Sequence, residues 1–419
     1  MQLKTILNRV QPFKSFTYQE VRWDDRTSRP SLLVTIEPRR NSKPICSGCG
    51  KRGSGYDRLR ERRFQFVPFW GIAVFFLYRM RRVDCRKCGV KVEQVPWADG
   101  KCTLTNQFRW FLASWARRLS WKEVAEAFRV GWHSVFESVD HAVKWGLVNR
   151  VGQLTNVQAI GVDEIQWQRG HRYLTVVYQI DRNCRRLLWV GQDRTEKTLE
   201  AFFELYGREI QSSLEYVCSD MWKPYLSVIK RYASDAVHIL DRYHVMAMLN
   251  KAIDQVRAAE AKQLKADGYE PVLKNSRWCL LKRKPNLSNK QTVTLRQLLK
   301  YNLQSVRAYL LREDFQRLWT YQSPAWASRF LNEWCTRTMR SKIEPMKKVA
   351  GTIRRHHDLL LNWFHAKGEI SAGVVEGFNN KAKLTTRKAY GFRTFRAAEA
   401  ALYHSLAKLP EPNFTHEFF

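Results

Sequence analysis

The chain has 419 residues, of which 44% are hydrophobic and 13% aromatic, so it can build ordered cores and global disorder is excluded. Its 72 Lys and Arg residues exceed its 39 acidic residues, and the resulting formal charge of +33 predicts a polyanionic partner, most commonly nucleic acid. The sequence contains no run of eighteen apolar residues and does not start like a signal peptide. We therefore expect a cytoplasmic, nucleoid-associated protein without a membrane partner.

The predicted organisation is a multidomain α/β protein, because the chain is too long for one typical domain. Changes in hydrophobic periodicity along the chain mark the boundaries between the predicted segments. These are an N-terminal β and zinc-binding DNA-binding domain at 1–102, a helix-turn-helix DNA-binding domain at 103–155, a mixed-sheet catalytic domain at 156–245 and 369–419, and an α-helical insertion at 246–368.

Two Cys-x-x-Cys knuckles lie in the N-terminal segment, formed by Cys46 with Cys49 and by Cys85 with Cys88. Each knuckle is followed by a glycine, which lets the backbone turn tightly and donate amides to the sulfurs. The gap between them exceeds the usual zinc-ribbon spacing, but the β-like stretch 64–78 can fill it. Four thiolates predict a closed, structural Zn²⁺ site. Neighbouring arginines are expected to contact DNA phosphates, and the candidates are Arg58, Arg60, Arg62 and Arg63.

A helix-turn-helix pattern follows the zinc segment. Ser120 and Glu123 have capping-box spacing and begin a short helix that runs through Phe128. A compact turn at 129–131 leads to a second helix that begins near Trp132. A helical hairpin without DNA contact is the alternative, but the charge and the adjacent zinc segment favour DNA contact. The candidate contacts on the second helix are His133, Ser134, Glu137 and Ser138.

Apolar strands alternate with helices from about residue 157 onwards. Three consecutive strands, a helix, a strand, a helix and a fifth strand predict a mixed sheet covered by helices. The alternation then stops, and residues from about 242 to 368 have helical periodicity only. A last helical segment begins near residue 372 and carries Glu376.

Three carboxylates are the central candidates for chemistry. Asp163 ends the apolar run of the first strand, Asp220 ends that of the fourth, and Glu376 lies on the late helix. We predict that they meet and hold Mg²⁺ or Mn²⁺, because these ions prefer carboxylate and water oxygens. Two ions ~3.5–4 Å apart can activate a nucleophile and relieve charge on the leaving oxygen of a phosphodiester. Asp163 would bridge both ions, while Asp220 and Glu376 would each complete one shell.

A single Asp after a strand is more often a helix cap or turn residue, and only the order of the three carboxylates favours a metal site. Glu164 and Asp241 are rival ligands. Glu164 should face away from Asp163 if the strand continues, since neighbouring strand residues alternate between faces. Residues expected to support the ligands, or in two cases to contact DNA instead, are Asp241, His244, Asn379 and Asn380.

Basic segments in the second half of the chain are further candidates for DNA contact. No acidic residue occurs from 271 to 290, within the helical block, and six basic residues follow Glu376 without an acid among them. Such runs are usually solvated surface, but the overall charge favours contact with a DNA strand. The candidates are Lys282, Arg283, Lys383, Arg387, Lys388 and Arg393.

With these residues and motifs, the chain resembles the ISL3 family of bacterial insertion-sequence transposases of the DDE type, over nearly its whole length. The resemblance implies an RNase H-like catalytic fold with Asp163, Asp220 and Glu376 as the metal-binding triad. It also implies recognition of terminal inverted repeats by the N-terminal half, cleavage by water, strand transfer by the freed 3′-hydroxyl, and a homodimer on paired DNA ends. The motifs that carry it are the two knuckles and residues 119–125, 160–164, 219–222, 241–245, 375–381 and 387–393.

Two alternative functions stay open. One is a non-catalytic DNA-binding regulator with a zinc site and a helix-turn-helix, although clustered carboxylates near DNA give such a protein no advantage. The other is an RNase H-like, structure-specific nuclease. The large N-terminal DNA-binding half argues instead for recognition of a sequence.

Overall fold

The computed structural model describes residues 3–26, 29–150, 154, 156–269, 271–366 and 373–413. Over these residues the protein is mixed α/β, with two five-stranded mixed sheets and many helices. The chain divides into two compact units, Met1–Val151 with Thr385–Phe419, and Gly152–Leu384. The predicted segment 369–419 is therefore divided between the two units, because the chain from Thr385 onwards packs with the N-terminal part. None of the helices in the described ranges is long and apolar enough to span a membrane.

The elements follow the predicted order of β, α, mixed and α segments. The strands are β1 Phe16–Asp24, β2 Ser31–Pro38, β3 Ser54–Phe69, β4 Ile72–Cys85, β5 Gly89–Val92, β6 Ala159–Gln168, β7 Arg172–Ile180, β8 Arg185–Gln192, β9 Tyr216–Ser219 and β10 Val237–Leu240. The helices are α1 Leu3–Val10, α2 Asn106–Ala116, α3 Trp121–Phe128, α4 Trp132–Asn149, α5 Glu196–Ile210, α6 Lys223–Tyr232, α7 Arg242–Ala266, α8 Arg277–Leu281, α9 Asn289–Leu298, α10 Gln304–Phe315, α11 Pro324–Met339, α12 Glu344–Arg355, α13 His357–His365, α14 Gly373–Lys388 and α15 Phe395–Leu406.

The first sheet has the order β1-β2-β4-β3, with β5 paired to β4. Strands β2 and β4 are parallel, and the other pairs are antiparallel. The core of this sheet is aromatic, because the buried indole of Trp97 lies 4.9 Å from Phe16 and 5.2 Å from Tyr78 between ring centroids. Such edge-to-face contacts stabilise a core beyond the area that they bury. The sheet therefore has a rigid centre from which the long β3–β4 ribbon extends.

Helices α3 and α4 have helix-turn-helix spacing, with only 129–131 between them. The predicted capping box is present, since Ser120 Oγ accepts from the Glu123 amide and the Glu123 carboxylate accepts from the Ser120 amide. Arg129 ends α3 in the left-handed region at φ 54°. Helix α15 packs on α4, where Arg396 binds Asp140 at 2.7 Å.

The second sheet has the order β10-β9-β6-β7-β8. Strands β6, β7 and β8 form an antiparallel meander, whereas β9 and β10 run parallel to β6 on its other side. Apolar side chains of β6 pack with α5 and α6 on one face, as the alternation of a half-buried strand predicts. On the other face α14 lies against Gly161, where an added Cβ would overlap the side chain of Val375. Strands β9 and β10 end at one edge of the sheet, beside the middle of β6, and this edge carries the candidate site.

A block of helices, α7 to α13, follows β10 and has an apolar core of its own. The fully buried Trp334 lies in this core and donates from its indole to the carbonyl oxygen of Leu311 at 2.8 Å. The buried guanidinium of Arg312 donates to Asn250 and to the Leu281 carbonyl oxygen at 2.9 Å. These bonds satisfy polar groups that would otherwise be costly to bury. The block is thus a folded helical insertion between the sheet and α14.

Candidate functional site

Three aspartates stand side by side where β9 and β10 end next to the middle of β6. The register pairs Gly161 with Cys218 and Ser219 with Leu240. Two residues beyond Gly161 comes Asp163, and the first residues after β9 and β10 are Asp220 and Asp241. Parallel strands in register therefore deliver one carboxylate each to the same edge of the sheet.

Asp163 is held by donors on both carboxylate oxygens. The backbone amide of Glu164 donates to Oδ1 at 2.7 Å, and Asn379 Nδ2 donates to Oδ2 at 2.6 Å. Asn379 is itself fixed, because the Tyr178 hydroxyl donates to its Oδ1 at 3.1 Å. Burial raises the pKa of Asp163, the charge of Asp220 adds to this, and the two donors lower it. The carboxylate is oriented and partly compensated within the sheet.

Helix α14 brings Glu376 to this edge from 213 residues further along the chain. Val375 packs at Gly161 and Asn379 binds Asp163, so the turn that carries Glu376 lies along β6. The Glu376 side chain is exposed, whereas Asn379 is buried. Asn380, predicted to support the ligands as well, is exposed and does not share the buried position of Asn379.

Asp241 is part of the same electrostatic group. Burial raises its pKa to about 6, the Tyr243 amide and His244 oppose the rise, and the charges of Asp163 and Glu376 add to it. Its Oδ1 accepts from the Tyr243 amide at 2.7 Å, which caps α7, and His244 Nε2 lies 3.6 Å from Oδ2. Asp241 is thus both a helix cap and a fourth acidic group at the edge.

Asp220 has a partner that the sequence did not reveal. Arg194 Nη2 lies 3.7 Å from Asp220 Oδ2, while Arg194 Nη1 lies 2.6 Å from Glu164 Oε1. The guanidinium also stacks 4.3 Å from the ring centroid of Trp222, whose amide donates to Asp220 Oδ1 at 3.0 Å. Burial, then the charge of Asp220, raises the pKa of Glu164 to about 7. One cation therefore bridges two carboxylates on the α5–α6 side of the sheet.

The spacing of the predicted triad is wider than that of a preformed single-ion site. Across the described ranges, only the four cysteines bring three or more His, Cys, Asp or Glu ligand atoms within 4.8 Å of one another. A two-ion site does not require this spacing, since Asp220 and Glu376 would bind different ions ~3.5–4 Å apart. The carboxylate donors fit the preference of Mg²⁺ or Mn²⁺ for hard oxygen ligands. The metal-binding triad therefore remains a prediction, and this geometry is compatible with a two-ion site.

The four predicted cysteines meet, with all Sγ atoms within 4.8 Å, and Cys49 Sγ lies 3.5 Å from Cys85 Sγ. Four sulfurs ~2.3 Å from a tetrahedral zinc lie roughly 3.8 Å apart, so this cluster fits such an ion. The Gly48 amide lies 3.4 Å from Cys46 Sγ. Backbone amides lower the pKa of Cys85, whereas burial raises that of Cys88. The donor set is that of a closed structural site.

Five of the eight predicted DNA contacts of the first unit are exposed, and the exceptions are Arg62, Ser134 and Ser138. Arg62 donates to two backbone carbonyl oxygens at 3.2 Å, so it braces β3. Ser138 is 1% exposed and donates to the Ser134 carbonyl oxygen at 2.6 Å, so its prediction as an exposed contact was wrong. The helical period places it on the inner face of α4. The residues of this set that are exposed are Arg58, Arg60, Arg63, His133 and Glu137.

The later basic candidates also differ in how far their side chains are exposed. Lys282 donates to Gln291 at 3.3 Å and Lys388 donates to the Arg117 carbonyl oxygen at 3.2 Å. Both side chains are half-buried, which leaves them less free to reach a phosphate. The residues of this set that are exposed are Arg283, Lys383, Arg387 and Arg393.

Comparison with known proteins links both units to one family. A family model described as Transposase, for ISL3 proteins of the DDE type, matches residues 160–402, more than half of the chain. The transposase for insertion sequence element IS1001 of Bordetella parapertussis is 30% identical over 385 residues, covering 91% of this chain and 93% of the relative. The transposase for insertion sequence element IS1557 of Mycobacterium tuberculosis is 29% identical over 411 residues, covering 92% and 90%. The similarity therefore extends from the cysteine cluster to the carboxylates.

Proposed function

The chain belongs to the ISL3 family of DDE transposases, and from this premise we propose that it binds the terminal inverted repeats of an insertion sequence and catalyses metal-dependent DNA cleavage and strand transfer. Its formal charge of +33 supports DNA as the partner, because phosphate contacts dominate the affinity of such proteins. The exposed basic residues of β3 and of the segment after Glu376 would supply those contacts.

The proposed catalytic fold is RNase H-like. It is supported by a meander of three antiparallel strands, β6 to β8, with β9 and β10 added parallel to the first strand of the meander. The predicted catalytic domain at 156–245 would end with this sheet, and α14 would complete it after the helical insertion. Zinc in the cysteine cluster would hold the N-terminal DNA-binding module, and a homodimer would hold two DNA ends together.

The observation that carries the proposal is the bond between Asn379 and Asp163, which brings the Glu376 helix to the strand of Asp163. Bound Mg²⁺ or Mn²⁺ would activate the attacking oxygen and neutralise charge on the leaving oxygen. Asp163 would bind both ions with the orientation that Asn379 and the Glu164 amide impose. Asp220, held by Arg194 and the Trp222 amide, and the exposed Glu376 would each bind one ion.

The test is cleavage of a duplex made from the DNA that flanks the gene, with Mg²⁺ or Mn²⁺. We expect Asp163→Asn, Asp220→Asn and Glu376→Gln to lower cleavage by more than about 100-fold, since even residues behind metal ligands commonly account for 10–100-fold. DNA affinity should stay close to wild type in each variant. Glu204→Gln, which changes an exposed acid on α5, is the control and should cleave normally.

Other outcomes would identify a different function. Wild-type cleavage by Asp220→Asn would exclude the proposed triad. Sequence-specific binding without cleavage in either metal would favour the regulator. Cleavage of branched DNA without regard to the end sequence would favour a structure-specific nuclease.

A further inference from the structure

Tyr390 lies in the turn between α14 and α15, and its side chain is 98% exposed. Among the described residues it is the most exposed of the large hydrophobic and aromatic side chains. Its φ of 55° lies in the left-handed region, which bulky residues rarely adopt. The ring of Tyr390 is thus exposed to solvent, and the backbone of this residue has a conformation that is unfavourable for a bulky side chain.

The turn has the hydrogen bonds of a Schellman motif. The Gly391 amide donates to the Thr386 carbonyl oxygen and the Tyr390 amide donates to the Arg387 carbonyl oxygen, both at 2.9 Å. In this motif the left-handed position, here Tyr390, is usually glycine, since a Cβ costs free energy there. The ring gains no burial in return. Stability of the helix end therefore gives no reason for a tyrosine at this position.

The turn is anchored to the helix-turn-helix of the same unit. Phe392 is 8% exposed, and its ring centroid lies 5.8 Å from that of Trp121 in α3. Trp121 in turn lies 5.5 Å from Trp132, the first residue of α4. Lys388 adds a bond to the backbone of Arg117 at 3.2 Å. Tyr390 is therefore two residues from a contact that leads to the start of the predicted recognition helix.

The charge around the turn selects the kind of partner. From 377 to 398 the chain has six basic residues and no acidic one. Arg387 and Arg393 on either side of Tyr390 are exposed. This charge attracts a polyanion, and an aromatic face beside it is suited to the face of a nucleobase. A DNA duplex fits both features, whereas an apolar protein surface would leave the basic residues unmatched.

We propose that the ring of Tyr390 inserts at a base step of the bound transposon end and stacks on a base that it separates from its neighbour. The inference rests on the proposed function, because it assumes that this unit binds the terminal inverted repeat. Aromatic and apolar wedges that unstack a base step are an established way for proteins to deform DNA. Arg387 and Arg393 would contact the flanking phosphates and hold the backbone while the step opens.

The experiment combines binding and base unstacking in the full-length protein. Duplexes from the DNA flanking the gene carry 2-aminopurine, whose fluorescence rises on unstacking, at successive positions of the repeat. The variants are Tyr390→Phe, which keeps the ring, and Tyr390→Asn and Tyr390→Gly, which remove it and tolerate the left-handed backbone. Tyr301→Asn, at a half-exposed tyrosine of the second unit, is the control.

For wild type and Tyr390→Phe we expect a fluorescence rise at one position. Tyr390→Asn and Tyr390→Gly should lose this rise and bind about 5- to 100-fold more weakly, the range of one lost base–aromatic stack. Tyr390→Gly should melt at or above the wild-type temperature, because glycine favours the turn. Weaker DNA binding together with an unchanged or higher melting temperature would show that Tyr390→Gly loses a DNA contact and keeps its fold.

Equal affinity and an unchanged fluorescence rise in Tyr390→Gly would overturn the proposal. Cleavage by that variant would then still support the transposase function, so the two conclusions can fail separately. A wild-type protein that neither binds nor cleaves the flanking DNA would overturn both.

Discussion

The four cysteines and the acidic residues of the sheet edge are both candidate metal ligands, but the fold assembles them in different ways. The cysteines lie on two knuckles joined by the β3–β4 ribbon, and their sulfurs approach within 4.8 Å of one another. The acids come from β6, from the ends of β9 and β10, and from α14. Arg194 bridges Glu164 and Asp220, and Asn379 binds Asp163. One donor set is complete after folding, whereas the other is held at a wider spacing.

The two centres also differ in how folding changes the pKa of their ligand groups. Backbone amides lower the pKa of Cys85 and burial raises that of Cys88, so folding favours one thiolate of the cluster and opposes another. At the sheet edge, burial raises the pKa of Asp163, Glu164 and Asp241, so folding opposes their negative charge. A closed set of four sulfurs is suited to structure, and an open set of acids that costs stability is suited to chemistry.

Zinc removal is the perturbation with the largest expected effect. Chelation, or Cys85→Ser, should abolish cooperative unfolding of the first unit and its binding to inverted-repeat DNA, because structural zinc contributes on the order of 10 kcal/mol to folding. Denaturant unfolding followed by tryptophan fluorescence, with a zinc assay, would measure this. Cys102→Ser changes a cysteine outside the cluster and should have little effect. An unaltered unfolding curve for the zinc-free protein would contradict a structural role.

Loss of the Asn379 donor should affect catalysis but not folding of the first unit. Asn379→Ala removes the 2.6 Å bond to Asp163 and should lower cleavage about 10- to 100-fold, with a higher Mg²⁺ requirement. DNA affinity should not change. The adjacent, exposed Asn380→Ala is a matched control, and cleavage rates across a Mg²⁺ titration would compare the two. Equal losses in both variants would show that the bond has no special role.

Asp241 provides the smallest predicted effect, which depends on pH. Its folded pKa of about 6 exceeds its ordinary value, so the folded state binds more protons and stability falls as pH rises from about 4 to about 6. Asp241→Asn keeps an oxygen that can cap α7 and removes this cost. Its free energy of unfolding should exceed that of wild type by about 1–3 kcal/mol at pH 7.5, with little difference at pH 4.

Added Mg²⁺ should raise the free energy of unfolding of both proteins at pH 7.5, because the proposed ligands Asp163, Asp220 and Glu376 are present in both. Urea unfolding at both pH values would provide the free energies. Asp235→Asn, at an exposed position after α6, is the control and should show no such pH dependence. A variant less stable than wild type at pH 7.5 would mean that Asp241 contributes more as a charged cap than it costs.

Local patterns predicted much of this architecture. The knuckles, the capping box of Ser120 and Glu123, and the alternation of strands and helices depend on neighbours in the sequence, and each has its predicted counterpart in the structure. The return of α14 to β6 was expected from the resemblance. The hydrogen bond from Asn379 to Asp163, which lie 216 positions apart in the sequence, stabilises this return of α14.

Contacts between distant segments could not be predicted. Arg194 is one of 72 basic residues, and no local pattern distinguishes the one that reaches Glu164 and Asp220. Ser138 was predicted as exposed, but it is buried. Which face of α4 is buried depends on how this helix packs with α2 and α15, and the local sequence does not show that packing. The grouping of residues after Thr385 with the N-terminal unit has the same origin.

Gly161 determines how closely a helix can approach a sheet. Its missing side chain leaves room for Val375, and valine is too stiff to turn aside from an added methyl group. The distance between α14 and β6 is therefore set by a single hydrogen atom in place of a carbon. Since Glu376 follows Val375 directly, the reach of that carboxylate towards the strand ends is fixed by a residue that has no functional group of its own.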